Sequence, residues 1–294
     1  PLVLTCIAIL GLSAAPAVGA TLYVDASTGS DSHPGTSSQP FQTITKAADE
    51  VNAGDVVVVR SGTYNERIDL RAGGNPGAPI VFKAEPRRSV NMNGFQLRED
   101  HVRIEGFNIT TTAKGWKGGG IWVASSHVEV VDNYFHDIQD VAVSCSWKEP
   151  WQTNITIRDN RAYKCQFGFV IHGSDVLVED NEVERVIRYG SGDADYSRFF
   201  GSNITFRGNY FHGSYASEIG TAHTDGFQTF SNNGWGAQNV LIEKNIVHSM
   251  TQGVMLEGLL SDNSVPPAHQ QVRDITIINN VFRGGDIPAA WGVD

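Results

Sequence analysis

The sequence predicts an all-β chain: a single-domain right-handed parallel β-helix, a solenoid of stacked coils with a short N-terminal capping helix. Two observations predict it. The first is a strand-like segment that recurs seven times. It reads His101-Val-Arg-Ile-Glu-Gly-Phe107, His127-Val-Glu-Val-Val-Asp-Asn133, Asn154-Ile-Thr-Ile-Arg-Asp-Asn160, Asp175-Val-Leu-Val-Glu-Asp-Asn181, Asn203-Ile-Thr-Phe-Arg-Gly-Asn209, Asn239-Val-Leu-Ile-Glu-Lys-Asn245 and Asp274-Ile-Thr-Ile-Ile-Asn-Asn280. Each alternates apolar and polar residues with a period of two, as a strand with one buried face must. The second is that six of the seven end in Asn at the same register. Stacked amides can hydrogen-bond along an axis, and an ordinary β-sandwich requires no such fixed position.

Two residues beyond each of these Asn stands an apolar residue, Phe135, Ala162, Val183, Phe211, Val247 or Phe282. A second strand follows in most coils, at Gly120-Ile-Trp-Val123, Gly168-Phe-Val-Ile-His172, Gly226-Phe-Gln-Thr-Phe230 and Gly253-Val-Met-Leu-Glu257. Aligning its glycines turns Phe169, Ile171, Phe227, Val254 and Leu256 inward. Trp122, His172, Gln228, Phe230, Met255 and Glu257 then share the outer surface.

The repeats are separated by 26, 27, 21, 28, 36 and 35 residues, so some coils carry insertions. These are expected at roughly 144–153, 188–202, 215–221, 231–238 and 258–272, and in a solenoid such loops commonly build the binding surface. They hold Trp147, Trp151, Tyr189, Tyr196, Tyr215 and Trp235, flat side chains suited to sugar faces. Residues 40–51 carry Phe41, Ile44, Ala48 and Val51 at helical spacing, the expected cap over the first coil. Asn108, Asn154 and Asn203 begin Asn-Ile-Thr triplets and read as ladder and turn residues rather than glycosylation sites.

The first twenty residues are uncharged, apolar and end in small residues at Val18-Gly19-Ala20, the pattern of a secretory signal peptide. The expected mature domain is therefore residues 21–294, secreted, with no membrane in its mature form and expected to be a monomer. The start lacks Met and a basic stretch, and no closing element precedes Asp294, so both ends read as truncated. Cys145 and Cys165 fall at different positions of their repeats and are expected to be buried free thiols. The net charge of −10 excludes nucleic acid, which calls for basic stripes. An acidic polysaccharide partner would need bound cations or a local basic cluster.

The stretch Tyr23-Val-Asp-Ala-Ser-Thr-Gly-Ser-Asp31, continuing through Gly35 and Phe41-Gln-Thr-Ile44 to Gly54-Asp-Val-Val-Val-Val-Arg-Ser-Gly62-Thr-Tyr64, resembles the opening of the pectate-lyase-like β-helix superfamily. The likeness is strongest to the family 9 pectate lyases and the chondroitinase-B and alginate lyases. With the repeats it covers nearly all of residues 21–294. It implies a secreted protein that binds polysaccharide in a groove along the coils, often with calcium assisting a Lys or Arg base. Ala222-His-Thr-Asp-Gly-Phe-Gln228 is similar to the Asn-Thr-Asp-Gly-Phe-Asp motif of polygalacturonases. His223 and Gln228 depart from that motif, so only Asp225 carries over, as a general acid.

These residues define the expected site. Asp225, His223, His172 and Lys148 are the catalytic candidates, with Lys148, Arg188 or His223 as base. Gln228, Glu257, Arg188, Tyr189, Trp147 and Phe230 are the substrate-binding candidates, and Asp193 and Asp195 in Gly-Asp-Ala-Asp the candidate calcium ligands. The first expectation is a polysaccharide lyase acting on uronate-containing polysaccharide (pectate, alginate or a glycosaminoglycan) by β-elimination. The alternatives are a polygalacturonase-like glycoside hydrolase pairing Asp225 with Glu257 or Glu218, a C5-epimerase, and a non-catalytic carbohydrate-binding or adhesive β-helix.

Overall fold

The computed structural model describes residues 19–115, 117–148, 151–231, 236–259, 264–285 and 287. The segment read as a signal peptide lies outside the described residues up to position 18, as does Trp235. All the strand pairings are parallel, each strand joining the equivalent strand one coil away. The seven repeats stack in one register, running Val102, Val128, Ile155, Val176, Ile204, Val240 and Ile275. This first face is followed in each coil by a short second face, Tyr134–His136, Arg161–Tyr163, Glu182–Glu184, Tyr210–His212, Ile246–His248 and Val281–Arg283. A third face then returns the chain to the first.

Two of the corners need a left-handed backbone, and the residue types follow from that. The opening residue of all seven repeats (His101, His127, Asn154, Asp175, Asn203, Asn239 and Asp274) has φ between 53° and 60°. Asn, Asp and His are the non-glycine residues that most readily adopt this conformation. The residue before each ladder Asn is also left-handed: Asp132, Asp159, Asp180, Gly208, Lys244 and Asn279. Asn154 and Asn203 are turn residues, and Asn203 accepts from Asn239 at 2.7 Å, whereas Asn108, expected to be of the same kind, lies on the short strand Asn108–Ile109 and donates to Asn91.

The ladder itself is continuous from Asn133 to Asn280. Each Nδ2 donates to the Oδ1 of the next coil's Asn at 2.9–3.1 Å, and each Oδ1 also accepts the preceding Asn's backbone N–H. The second Nδ2 hydrogen goes to a main-chain carbonyl, Ile157 in the case of Asn181. Five of these amides, from Asn133 to Asn245, are buried, so the bonds among them are made away from competing water.

Inside the coils Phe135, Phe169, Phe199, Phe206, Phe211 and Phe227 are fully buried, and edge-to-face contacts such as Phe206–Phe227 at 5.2 Å link successive coils. The helix predicted over 40–51 is shorter, Ile44–Glu50, with Thr43 capping the Lys46 N–H. It packs Ile44 and Ala47 against the strands Thr21–Val24 and Val56–Leu70, and Ala48 lies only partly buried. Cys145 and Cys165 are buried free thiols, and burial pushes each thiol up to about 12.

Three expectations are corrected. The insertion expected at 188–202 contains part of the strand Ser197–Arg207, which pairs with Phe167–Glu179. Leu256, expected inward, is 41% exposed, since its coil has little packed beyond it among the described residues. Tyr196, expected on a sugar-binding loop, is fully buried, its hydroxyl bonded to Ser214 at 2.8 Å and to the Ser249 carbonyl at 3.0 Å.

Asn181→Ala removes two donors and an oxygen that accepts twice, all buried. The expected loss of stability is about 3 kcal/mol or more. Asn203→Gly, at an exposed corner that already needs a left-handed backbone, is expected to cost under about 1 kcal/mol. Urea unfolding of the two variants checks the contrast, and equal losses would show that the buried ladder adds nothing special.

Candidate functional site

The third face carries the candidate site on its outer surface. Its cross-coil register aligns Trp122, Ser144, Val170, Arg198, Gln228 and Met255 in one outer row. A second row, two residues further along each strand, holds His172 beside Phe200 and Phe230 beside Glu257. The start of this face, where the loop 188–196 and the segment 221–225 enter it, brings Asp193, Asp195, His223 and Asp225 together with Arg198 and Gln228.

Backbone and side-chain bonds tie these two coils. The Ala194 N–H donates to the His223 carbonyl and the Tyr196 N–H to that of Asp225, each at 2.9 Å. The Asp225 N–H donates to Asp195 Oδ1 at 3.0 Å. Arg198 Nη2 donates to Asp195 Oδ2 at 2.7 Å and to Asp193 Oδ2 at 3.0 Å. Gln228 Nε2 donates to Asp225 Oδ2 at 2.7 Å, and the Thr251 hydroxyl reaches Asp225 Oδ1 at 3.4 Å. The Arg198 guanidinium lies between two rings, 5.3 Å from the centre of Phe167 and 5.7 Å from that of Phe230.

Asp195 and Asp225 have no exposed surface, and Gln228 is only 3% exposed. Burial pushes Asp225 up to about 6, against the Gln228 hydrogen bond and the nearby His223. Burial also raises Asp195, with Arg198 opposing and Asp225 adding to the rise. Two buried carboxyls on adjoining coils, Asp195 held by the Arg198 guanidinium and Asp225 by the Gln228 amide, therefore keep protons above the ordinary carboxylate range. The groups of this cluster that reach solvent are Arg198, the half-buried His223 and Asp193. Asp225, expected among the catalytic groups, lies fully buried and bonded to Gln228.

Other expected site residues lie elsewhere. His172 is sealed between Trp147, 4.1 Å away, and Phe200, stacked at 4.9 Å, and burial pushes its ring down to about 3. It is a neutral packing group, outward by register but covered. Trp147 covers it and packs on Phe167 and Val170. Glu257 sits five residues along the strand from Gln252, the partner of Asp225, so roughly 16 Å separates it from the cluster. Glu218 is held in a two-bond pair by Arg185. Glu257 therefore lies beyond hydrolase spacing from Asp225, and the Glu218 carboxylate is engaged by Arg185. Arg188 bonds the Thr221 hydroxyl at 3.0 Å, and Tyr189 bonds the Lys164 carbonyl while lining a cleft with Gln166 and Phe167. Lys148 lines a different cleft, with Arg98 and Trp122.

The expected calcium ligands Asp193 and Asp195 both accept from Arg198, whose guanidinium stands where a cation would bind. Calcium takes six to eight oxygens, and the carboxylates here are already committed. The arrangement does not fit the ion, and Arg198 supplies the local positive charge. Arg198 itself escapes the sequence reasoning because its strand lacks the leading glycine of the others. A signal was present: His172-Gly-Ser-Asp175 and Phe200-Gly-Ser-Asn203 repeat 28 residues apart and mark the end of the same face in successive coils.

A family model described as the Pel9A-like right-handed β-helix region matches residues 22–258. The chain belongs to the Pel9A-like right-handed β-helix family. Among curated relatives, an uncharacterized protein, YwoF, of Bacillus subtilis (strain 168) is 30% identical over 142 residues, 42% of this chain and 30% of that protein. The pectate lyase PEL9 of Emericella nidulans is 38% identical over 85 residues, 28% of this chain and 20% of that protein. The matched parts thus span under a third of either relative. Among solved structures, pectate lyase Pel9A superposes with a TM-score of 0.62 at 15% identity, covering 93% of this chain and 82% of that one. The lacto-N-biosidase of Eubacterium ramulus superposes at 0.57 and 12% identity, covering 92% and 65%. At such identities these Pel9A-like likenesses speak for the fold, which carries both lyases and glycoside hydrolases. No helix among the described residues is long and apolar enough to cross a membrane.

Because the folded Asp225 carboxyl keeps its proton to higher pH than the unfolded one, its contribution to stability is fully present below the ordinary value of 3.8 and is lost as pH rises through about 6. Asn at this position can still accept from Gln228 and has no proton to lose. The melting temperature of Asp225→Asn relative to the wild type is expected to rise by ~2–5 °C between pH 4 and pH 7. A difference that stays constant with pH would show that Asp225 carries no such burden.

Proposed function

We propose that this Pel9A-like chain is a secreted enzyme that cleaves uronate-containing polysaccharide by β-elimination at the Arg198–His223 cluster. One observation carries the reading. Arg198 reaches solvent from the outer row of an acidic protein, its guanidinium fixed by Asp193 and Asp195 and flanked by Phe167 and Phe230, with the half-buried His223 on the adjoining coil. A guanidinium fixed in this way offers a charged donor to a uronate carboxylate.

In this reading the substrate carboxylate accepts from the part of Arg198 that reaches solvent, and the buried Gln228 holds Asp225 behind it. Asp193 and Asp195 fix the guanidinium, and a proton held on the Asp195–Asp225 pair leaves its charge free to neutralise the uronate. That neutralisation makes the charge developing on the uronate in the transition state tolerable. His223 takes the C5 proton, the C5–H electrons form the C4–C5 double bond, and the C4–O bond breaks toward the leaving oxygen. That oxygen then collects a proton from His223 or water.

A hydrolase is the second reading. It is favoured by the raised proton affinity of the Asp195 and Asp225 carboxyls on adjoining coils, and opposed by their complete burial.

Arg198→Ala and His223→Ala are each expected to lower turnover at least ~100-fold while the fold is retained. The assay follows ultraviolet absorbance of unsaturated uronate and new reducing ends together, across pectate, alginate and chondroitin. Ends without absorbance in the wild type would replace the lyase by the hydrolase. Full activity in both variants would move the chemistry away from this cluster.

A further inference from the structure

Toward the N-terminal side of the same outer face lies a cleft of about 410 Å³ that no part of the proposed chemistry uses. Arg98, Lys117, Trp122, Lys148 and Trp151 are among its lining residues. We infer that this cleft is a second anionic-sugar subsite, which holds a uronate of the same polymer whose bond is broken at Arg198. The inference rests on the lyase reading for the polymer's identity and extends it to residues that reading does not need.

Charge is the first argument. The chain carries −10 overall, yet three cations converge here. Lys117 and Lys148 are exposed and pair with no carboxylate among the described residues. Arg98 is bound to Asp69, which Arg71 also neutralises. The opposing group in the lining is Asp100, one of whose oxygens accepts the Ser126 N–H at 2.7 Å. The cleft is therefore positive on an acidic protein, and such a patch attracts anionic segments and excludes nothing neutral by shape alone.

Geometry is the second argument. Trp122 holds the Arg98 guanidinium at 5.2 Å and the Lys117 ammonium at 5.0 Å from its ring centre, so the two cations are presented on a rigid aromatic base. Trp151 is half-buried at the rim and offers a flat apolar surface for a sugar ring. Trp122 and Arg198 belong to the same outer row, three coils apart. Three coil spacings are ~14 Å, roughly three sugar units of an extended chain lying along the solenoid axis. A polymer with a negative charge on each unit would meet positive charge at both ends of that span.

The test compares oligogalacturonides or oligoalginates of two and six units on the folded wild type, Lys117→Ala, Lys117→Glu and Lys117→Arg. Binding is read by tryptophan fluorescence and, where turnover occurs, KM and kcat are read separately. Lys117→Ala is expected to weaken binding of the six-unit chain about tenfold and Lys117→Glu more, with Lys117→Arg near wild type. Two-unit substrates are expected to be unaffected, and kcat to stay within about twofold. Carboxyl-reduced six-unit chains are expected to lose the Lys117 dependence. Equal affinity of wild type and Lys117→Glu for the six-unit chain would overturn the subsite, even with turnover intact. Displacement of the six-unit chain by sulfate at the same low concentration would also overturn it, in favour of a simple anion site. Binding that depends on Lys117 without any turnover would uphold the subsite and sink the lyase reading instead.

Discussion

The structure depends on one requirement: a buried side-chain amide has to find partners for all its polar atoms. At the second corner of each coil an Asn is turned into the interior by a left-handed residue before it. It is satisfied only when the coils above and below present the same Asn at the same height. A slip of one residue anywhere in a repeat would leave buried donors and acceptors open on both sides of the slip. Hydrophobic stacking alone would tolerate small shifts, because Val, Ile and Phe pack in many ways. The amide ladder does not, so it converts a generally apolar interior into a single register.

That register carries over to the outer surface. Once the ladder holds each coil at one height, the third-face strands align as well, and side chains distant in sequence become neighbours along the axis. Arg198 and Gln228 meet in this way, as do Asp195 and Asp225. No local motif places these four together. Their spacing is set by coil length, and the loops of 188–196 and 221–225 only decide which residue types arrive at the corner. A site built across coils needs the solenoid to be rigid where the loops are variable, and the buried ladder on the opposite side of the coil supplies that rigidity.

Much of the fold was legible in the sequence for the same reason. The repeats, their register and the ladder depend on a periodic pattern, and all seven repeats stack as that pattern implies. The site was only half legible. His223, Asp225 and Gln228 were picked out because residues 222–228 are similar to the polygalacturonase motif, and the Gly-Asp-Ala-Asp segment because its carboxylates offer oxygen ligands. Arg198 was missed because its strand hides within a loop-like stretch with two adjacent Phe residues, one facing in and the other out. His172 was misplaced because periodicity reports which side of a strand a residue faces. It does not report whether a loop such as that bearing Trp147 folds down to cover it. Burial of the outer face is a property of insertions, and insertions obey no repeat.

The Asp195–Asp225 pair is where the molecule departs from its own rules. Along the ladder the buried polar groups are neutral amides in a continuous network. Here two carboxyls that repel one another are buried on adjoining coils, one held by a guanidinium and the other by an amide, with an unpartnered Nε and an unpartnered amide oxygen among the described residues at their side. An interior of Val and Phe would have been the cheaper solution at these positions, since buried ionic groups seldom exceed apolar packing in stability. The neighbouring coils hold the cluster in place through main-chain bonds on both sides, so the fold tolerates the conflict without relieving it. Local disagreement between packing and polarity, kept in place by a scaffold that is otherwise consistent, is the physical mark of a position shaped by what binds there.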